Sequence, residues 1–295
     1  MVTRRTFHAG VVGLVTTGTT GGTAIAQSKP MTAIDSHAHV FKKNLPLAAN
    51  IRYAPDYDAT SEDYIKFLDE NGMSNAVLVQ PSFLGTDNSY MVDALKRYPD
   101  RFRGIAVVRP DTGRDDLRAL AGSGVVGIRL NLIGAQNPAF DAEPWPTFLK
   151  ELAALDWQVE IQAEARRWPE LLGPLLDRGV KVVADHFGKP DPKLGVDDPG
   201  FRHLLKAGGG KRVWVKISGS YRNGDGLPLA SIPLLRDSLG LERLVWGSDW
   251  PHTQFETATN YRTVRGELDA WLPDAGDRKI VLLDTPRALF WESKT

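Results

Sequence analysis

Four of the six histidines in this chain lie where short apolar runs end, close to acidic residues. His37 and His39 stand two positions apart at the end of one run, where side chains of an extended strand share a face. His186 ends a second run, and Asp249 ends a third with His252 just beyond it. Imidazole and carboxylate groups can move protons, stabilise an oxyanion or bind a divalent ion. We therefore predict one reactive site where these ends meet.

Eight apolar runs rich in β-branched residues alternate with helix-like stretches after residue 30. The runs lie at residues 33–40, 76–81, 103–108, 126–132, 157–163, 180–185, 213–219 and 243–249. Such continuous apolar character is typical of parallel strands buried on both faces. The first helix-like stretch, at residues 61–72, has a Ser cap at its start and a Gly at its end.

Eight strands and eight helices in about 265 residues predict an α/β fold, a single (β/α)8 TIM barrel, with the strand ends meeting at one mouth. The alternative, an open doubly wound sheet, lacks the G-x-G-x-x-G turn after its first strand.

Composition excludes several classes of function. The 295 residues include 36 basic and 36 acidic side chains, a balance that gives no field to attract nucleic acid or an anionic membrane. The chain has no cysteine, which excludes disulfides, thiolate metal sites and a cysteine nucleophile. Any metal ion must therefore be held by histidine and carboxylate.

The first 26 residues predict an export signal. Arg4 and Arg5 precede an uncharged, mildly apolar stretch that ends in Ala-Ile-Ala at 24–26, the pattern of a twin-arginine signal and its cleavage site. The stretch is too polar to form a membrane span. We predict a barrel domain over residues 27–295 that works in the bacterial periplasm.

Several segments resemble one known family. DSHAHVF, DHFGKP and VWGSDWPHT carry the resemblance, with weaker matches in GIRLN, KISGSYR and DTPRALFW, and together they cover the mature chain in order. The sequence resembles the amidohydrolase superfamily, of the amidohydrolase-2 type. Within it, the chain is similar to the branch that contains 2-pyrone-4,6-dicarboxylate lactonase and sugar-lactone hydrolases.

The resemblance implies roles for the strand-end residues. Asp249 would be the general base that deprotonates water, and His37, His39 and His186 would surround the carbonyl oxygen of the scissile ester. They would act as direct donors or through one divalent metal, such as zinc, bound to them and Asp249. Gln162 near the end of the fifth run, where related metal enzymes often carry a further ligand, favours a site without an obligatory metal.

The resemblance also implies substrate contacts. Arg129 and Arg222 match positions that bind substrate carboxylates, a task suited to the guanidinium fork. Tyr53 and Ser82 match further pocket positions, and His252 joins this predicted set. The chain has Ile-Gly-Ala at 133–135 where the pyrone-dicarboxylate enzyme uses another arginine. We therefore expect a lactone with one carboxylate, or a neutral sugar lactone.

These patterns predict a periplasmic hydrolase that opens a small, carboxylated or sugar-derived lactone with water. Its expected partner is that small molecule, and pairing of barrels into a homo-oligomer stays open. The alternatives are metal-dependent amide hydrolysis, decarboxylation or lactone isomerisation on the same scaffold. A non-catalytic periplasmic binding protein is the alternative from another class.

Overall fold

The computed structural model describes residue 1 and residues 30–49, 51–208 and 212–292. The predicted export signal at residues 1–26 lies outside the described residues except for its first, so export stays a prediction. Within the described ranges, no helix has both the length and the apolar character needed to cross a membrane.

The eight predicted strands form one parallel sheet in which the order along the chain is the order in the sheet. They are β1 (Ile34–Ala38), β2 (Asn75–Val79), β3 (Phe102–Ala106), β4 (Val125–Asn131), β5 (Gln158–Gln162), β6 (Lys181–Ala184), β7 (Val213–Ser218) and β8 (Leu244–Gly247). Helices fill the connections, so the predicted (β/α)8 barrel is confirmed.

Ten α-helices lie within the described residues. They are α1 (Ser61–Glu70), α2 (Ser89–Arg97), α3 (Arg114–Gly122), α4 (Trp145–Ala154), α5 (Trp168–Asp177), α6 (Pro199–Ala207), α7 (Leu227–Leu239), α8 (Tyr261–Trp271), α9 (Ala275–Lys279) and α10 (Thr285–Phe290). The predicted serine cap of α1 was wrong by one residue. Thr60 is the cap, because its side chain accepts a hydrogen bond from the Asp63 amide.

Closure of the barrel brings the ends of β1 and β8 together. Ala38 forms a parallel bridge with Trp250. The Asp249 amide donates to the His37 carbonyl at 2.8 Å, and the His39 amide donates to the Trp250 carbonyl at 2.8 Å. These backbone bonds place the acidic residue after β8 beside the two histidines of β1, although more than 200 residues separate them in sequence.

The last helix packs onto strand residues. Leu289 and Phe290 of α10 are buried in a cluster that includes Ile34, Val77 and Val245. A larger cluster joins the other faces of the strands to the surrounding helices. This packing ties the C-terminal part of the barrel to β1.

Gly200 gives a prediction about packing. A Cβ there would lie 1.9 Å from the Ala165 carbonyl oxygen. This oxygen belongs to the backbone, which can move away only at a cost in free energy. We expect Gly200→Ala to lower the free energy of unfolding by about 1–3 kcal/mol, measured by urea denaturation. Gly266→Ala is the matched control, because nothing lies within 4 Å of a Cβ there. In the interior of α8 it should stabilise the protein by about 0.5–1 kcal/mol. Equal stabilities of the two variants would contradict this account.

Candidate active site

Two imidazoles and one carboxylate meet at the β1–β8 junction. His37 Nε2 lies 3.3 Å from His39 Nε2 and 3.7 Å from Asp249 Oδ1. His39 Nε2 lies 3.4 Å from the same oxygen, and its Nδ1 donates to the Val79 carbonyl at 2.7 Å. Burial and the charge of Lys216 lower the pKa of His37 well below its ordinary value. The His37 ring is therefore neutral near pH 7.

His186 completes the predicted set from the end of β6. Its ring centroid lies 5.0 Å from that of His37, and its Nδ1 lies 2.9 Å from the Ser218 hydroxyl. Gly219 has φ +56°, and a Cβ there would come within 2.7 Å of His186 Nδ1, so only glycine leaves the ring in place. Burial lowers the pKa of His186 to about 4, so this ring is neutral and can offer an N–H to an oxygen atom.

Asp249 is held as a carboxylate by donors on one of its oxygens. The Tyr221 hydroxyl and Arg222 Nε each donate to Oδ2 at 2.7 Å, and Arg222 also donates to the Thr253 carbonyl at 3.2 Å. Burial opposes ionisation, but Arg222 and His186 outweigh it and hold the pKa of Asp249 well below its ordinary value. Asp249 is therefore ionised near neutral pH, and Oδ1 remains on the side of His37 and His39.

Unusual backbone angles cluster in the same region of the structure. His186, Asp249 and His252 have φ of +51°, +60° and +66°, values that side-chain-bearing residues seldom adopt. Seven such non-glycine residues occur in the described chain, and six of them lie at 186–189 and 249–254. Strained backbone of this kind gathers at sites where function requires a fixed side-chain direction.

A buried charge network, formed by Glu160, Asp185, Lys216 and Arg129, adjoins the histidines. Lys216 Nζ donates to Glu160 Oε2 at 2.5 Å and lies 3.5 Å from Asp185 Oδ1, while Arg129 Nε donates to Asp185 Oδ2 at 3.1 Å. None of the four is more than 4% exposed. Burial raises the pKa of Glu160 to about 7. Burial also opposes ionisation of Asp185, but Lys216 and Arg129 together hold its pKa well below its ordinary value.

A narrow cavity opens onto these groups, and it contains four of the five predicted substrate-contact residues. Its lining includes His39, Arg52, Tyr53, Ser82, Arg129, Asn131, Gln162, His186, Arg222, Asp249 and Thr253. His252 is not part of this lining. It is buried with its ring against Tyr221, at a centroid distance of 5.8 Å. The positive φ of His252 belongs to the turn after β8, whose path the sequence spacing alone did not reveal.

Several site residues were missed by sequence reasoning. Arg52 lies on the cavity wall, exposed, and forms no hydrogen bond or ion pair with the described residues. Gln162, which the sequence indicated only as an argument against a metal ion, accepts from Arg129 at 2.8 Å and so positions that guanidinium. Lys216 and Tyr221 were also missed. Lys216 did carry a signal, because a lone charge within an apolar strand must find a buried partner.

A divalent metal ion would need ring nitrogens with free lone pairs, so the direction of each histidine hydrogen bond decides whether the site fits one. Ligand atoms of His37, His39 and Asp249 lie within 4.8 Å of one another, and so do those of His37, Asp185 and His186, so His37 belongs to both possible sets. A metal-binding imidazole usually donates its other ring N–H to an acceptor. His39 does so, whereas His37 Nδ1 lies 3.0 Å from the ammonium of Lys216. A nitrogen that accepts from Lys216 leaves the proton on Nε2, the atom that would bind the metal. The donor set therefore does not fit a resident divalent ion.

Comparison with known proteins places the chain in a family. Residues 34–291 match the amidohydrolase family, amidohydrolase-2 type, and the chain belongs to it. The chain is 29% identical over 270 residues to the 4-sulfomuconolactone hydrolase of Hydrogenophaga intermedia, a match that covers 87% of this chain and 88% of that protein. It is 30% identical over 281 residues to the 2-pyrone-4,6-dicarboxylate hydrolase of Comamonas testosteroni, covering 89% and 91%.

A solved structure agrees. The crystal structure of a probable 2-pyrone-4,6-dicarboxylic acid hydrolase from Acinetobacter baumannii with citric acid bound has a TM-score of 0.85 and 39% sequence identity. The match covers 88% of this chain and 99% of that one. The resemblance inferred from the strand-end motifs is thereby confirmed.

Proposed function

We propose that this protein is a hydrolase that opens the ring of a small acidic lactone with water activated by Asp249. The observation that carries the proposal is the convergence of His39 and His186 on the ionised Asp249 in one cavity that also contains Arg129, with the buried His37 ring in contact with both histidines. The relatives named as hydrolases of lactone-type substrates support the reaction class.

The proposed reaction needs one base and neutral donors. Asp249 Oδ1 takes a proton from water as the water oxygen adds to the lactone carbonyl carbon. Neutral His186 donates its N–H to the negative charge that develops on the carbonyl oxygen, while neutral His37 donates to His39 and so holds that ring beside the carboxylate. When the carbon–oxygen bond of the ring breaks, Asp249 returns its proton to the departing ring oxygen. The new carboxyl group then ionises and releases one proton to solvent.

The cations of the site support an acidic substrate. Arg129 and Arg222 are already paired with Asp185 and Asp249, so a substrate carboxylate must share them. Arg52 is the guanidinium on the cavity wall that has no hydrogen-bond or ion-pair partner among the described residues. Together with the names of the two relatives, Arg52 extends the proposed substrates to lactones with two anionic groups. The missing arginine near residue 133 had argued against these.

A screen of lactones with a pH indicator tests this proposal. We expect wild-type protein to acidify solutions of muconate-type or pyrone carboxylate lactones, with a rate unchanged by a chelator, because no step uses a metal. His203→Gln, on the exposed face of α6, should match wild type. Isomerisation would convert the lactone without releasing a proton, decarboxylation would release carbon dioxide, and a binding protein would yield no product. Any of these results, or activity lost to the chelator and restored by zinc, would overturn the proposal.

A further inference from the structure

Lys216 is a fully buried lysine in contact with a reactive histidine. It lies on β7, is 0% exposed, and its Nζ sits 3.0 Å from His37 Nδ1. Glu160 at 2.5 Å and Asp185 at 3.5 Å flank the same nitrogen. A lysine ammonium has hydrogen-bond donors only, and both flanking carboxyl oxygens are acceptors. His37 Nδ1 is therefore placed to accept a hydrogen bond.

His39, on the other side of the His37 ring from Lys216, offers an acceptor where Lys216 offers a donor. A carbonyl oxygen only accepts, so His39 must carry a proton on Nδ1 to bond Val79 at 2.7 Å. With that proton in place, the second ring nitrogen, Nε2, can accept a hydrogen bond from His37 Nε2, which lies 3.3 Å away. A proton on His37 Nε2 satisfies this contact, whereas a proton on His37 Nδ1 would leave two lone pairs facing each other.

We propose that Lys216 is a positioning residue that fixes His37 as the tautomer with its proton on Nε2. The resulting chain of donors runs from the Lys216 ammonium through His37 and His39 to the Val79 carbonyl. It commits the His37 N–H to His39 Nε2, which holds the His39 ring beside Asp249 Oδ1, and it withholds the His37 Nε2 lone pair from a metal ion. The catalytic part of this consequence rests on the proposed function, but the tautomer itself does not.

Two carboxylates offer competing acceptors in the same network. Asp249 Oδ1 lies 3.4 Å from His39 Nε2 and 3.7 Å from His37 Nε2, and a proton on His37 Nε2 is compatible with it. Asp185 Oδ1 lies 3.5 Å from His37 Nδ1 and would accept a proton from it, which gives the opposite tautomer. Its distance is longer than that to Lys216, and the other Asp185 oxygen is engaged by Arg129. Removal of Lys216 should therefore transfer the ring proton to Nδ1, with Asp185 as its acceptor. If the Lys216–Glu160 ion pair only stabilised the fold, removal of Lys216 would leave the His37 tautomer unchanged.

The ring proton can be located by long-range hydrogen–nitrogen NMR on protein labelled with ¹⁵N-histidine, because the two ring nitrogens have distinct shifts in each tautomer. Comparison with the His37→Gln variant assigns the signal. We expect wild-type His37 to be protonated at Nε2 and Lys216→Met to move that proton to Nδ1. Lys206→Met, an exposed lysine on α6, should leave the spectrum unchanged. A wild-type proton on Nδ1, or the same tautomer with and without Lys216, would overturn the proposal.

Two further variants keep the test decisive if Lys216→Met fails to fold. Lys216→Arg retains a cationic donor, and Glu160→Gln retains the ammonium but removes one of its carboxylates, so both should keep the Nε2 proton. In folded Lys216→Met we expect kcat to fall by about 10²-fold, a loss comparable to that of one polar contact at the reacting centre, with KM nearly unchanged. The reason is that a proton on His37 Nδ1 leaves two lone pairs facing each other and displaces His39 from Asp249. If no lactone is turned over by wild type, the proposed function fails while the spectrum still decides the role of Lys216. Loss of the Nε2 proton in Lys216→Arg would contradict the proposal.

Discussion

Replacing Asp249 by Asn should lower kcat by about 10³- to 10⁴-fold, the upper part of the range for a lost general base. Asn keeps the shape of the side chain, and its amide oxygen can still accept from Tyr221 and Arg222. It cannot take a proton from water. The loss should therefore fall on kcat while the fold and the affinity for the lactone change little. Steady-state kinetics on the best lactone from the screen, with circular dichroism for the fold, measures both.

The matched control for this prediction is Asp237→Asn, which makes the same change at an exposed carboxylate on α7. It should leave kcat and KM at the wild-type values. If Asp249→Asn keeps more than about a tenth of wild-type kcat in a folded protein, far above the loss expected for a general base, Asp249 is not the base. Another group of the site would then have to accept the proton.

The fold could be predicted from the sequence because buried parallel strands have a continuous apolar pattern. The run at 213–219 became β7 at Val213–Ser218, and the run at 157–163 became β5 at Gln158–Gln162. In a barrel all strands point the same way, so their carboxyl ends share one mouth. That rule alone brought His37 and Asp249 into one prediction, across more than 200 residues of chain.

The lateral contacts inside the barrel could not be predicted in the same way. Lys216 and Glu160 are single charges within apolar strands, which shows that each needs a partner but not which one. Their pairing depends on the register between β5, β6 and β7, a property of the closed sheet. Arg52 lies in a connection without regular structure, where no periodicity reports the direction of a side chain.

The buried charges of the site are balanced in three pairs. Arg222 pairs with Asp249, Arg129 with Asp185 and Lys216 with Glu160, and in each pair the two residues come from different strands or strand ends. Isolated buried ions are costly, whereas hydrogen-bonded pairs are tolerated. Because the charges compensate one another, the buried His37 and His186 rings stay neutral in a site rich in charge. Breaking one pair should therefore disturb the reaction more than the loss of one contact.

Arg222→Met should show this most clearly. Removing one partner of a buried, hydrogen-bonded charge pair costs about 2–5 kcal/mol, so we expect kcat/KM at pH 7 to fall by roughly 10²-fold or more. Arg222 holds the pKa of Asp249 below its ordinary value, and without it that pKa rises. The base must be ionised to act, so the acid limb of the kcat/KM profile should move to higher pH.

Two matched variants should shift the acid limb less than Arg222→Met does. Arg222→Lys keeps the positive charge, and Tyr221→Phe removes only a neutral donor to the same Asp249 oxygen. An acid limb at the wild-type pH in Arg222→Met would show that the ionisation of Asp249 does not control the reaction.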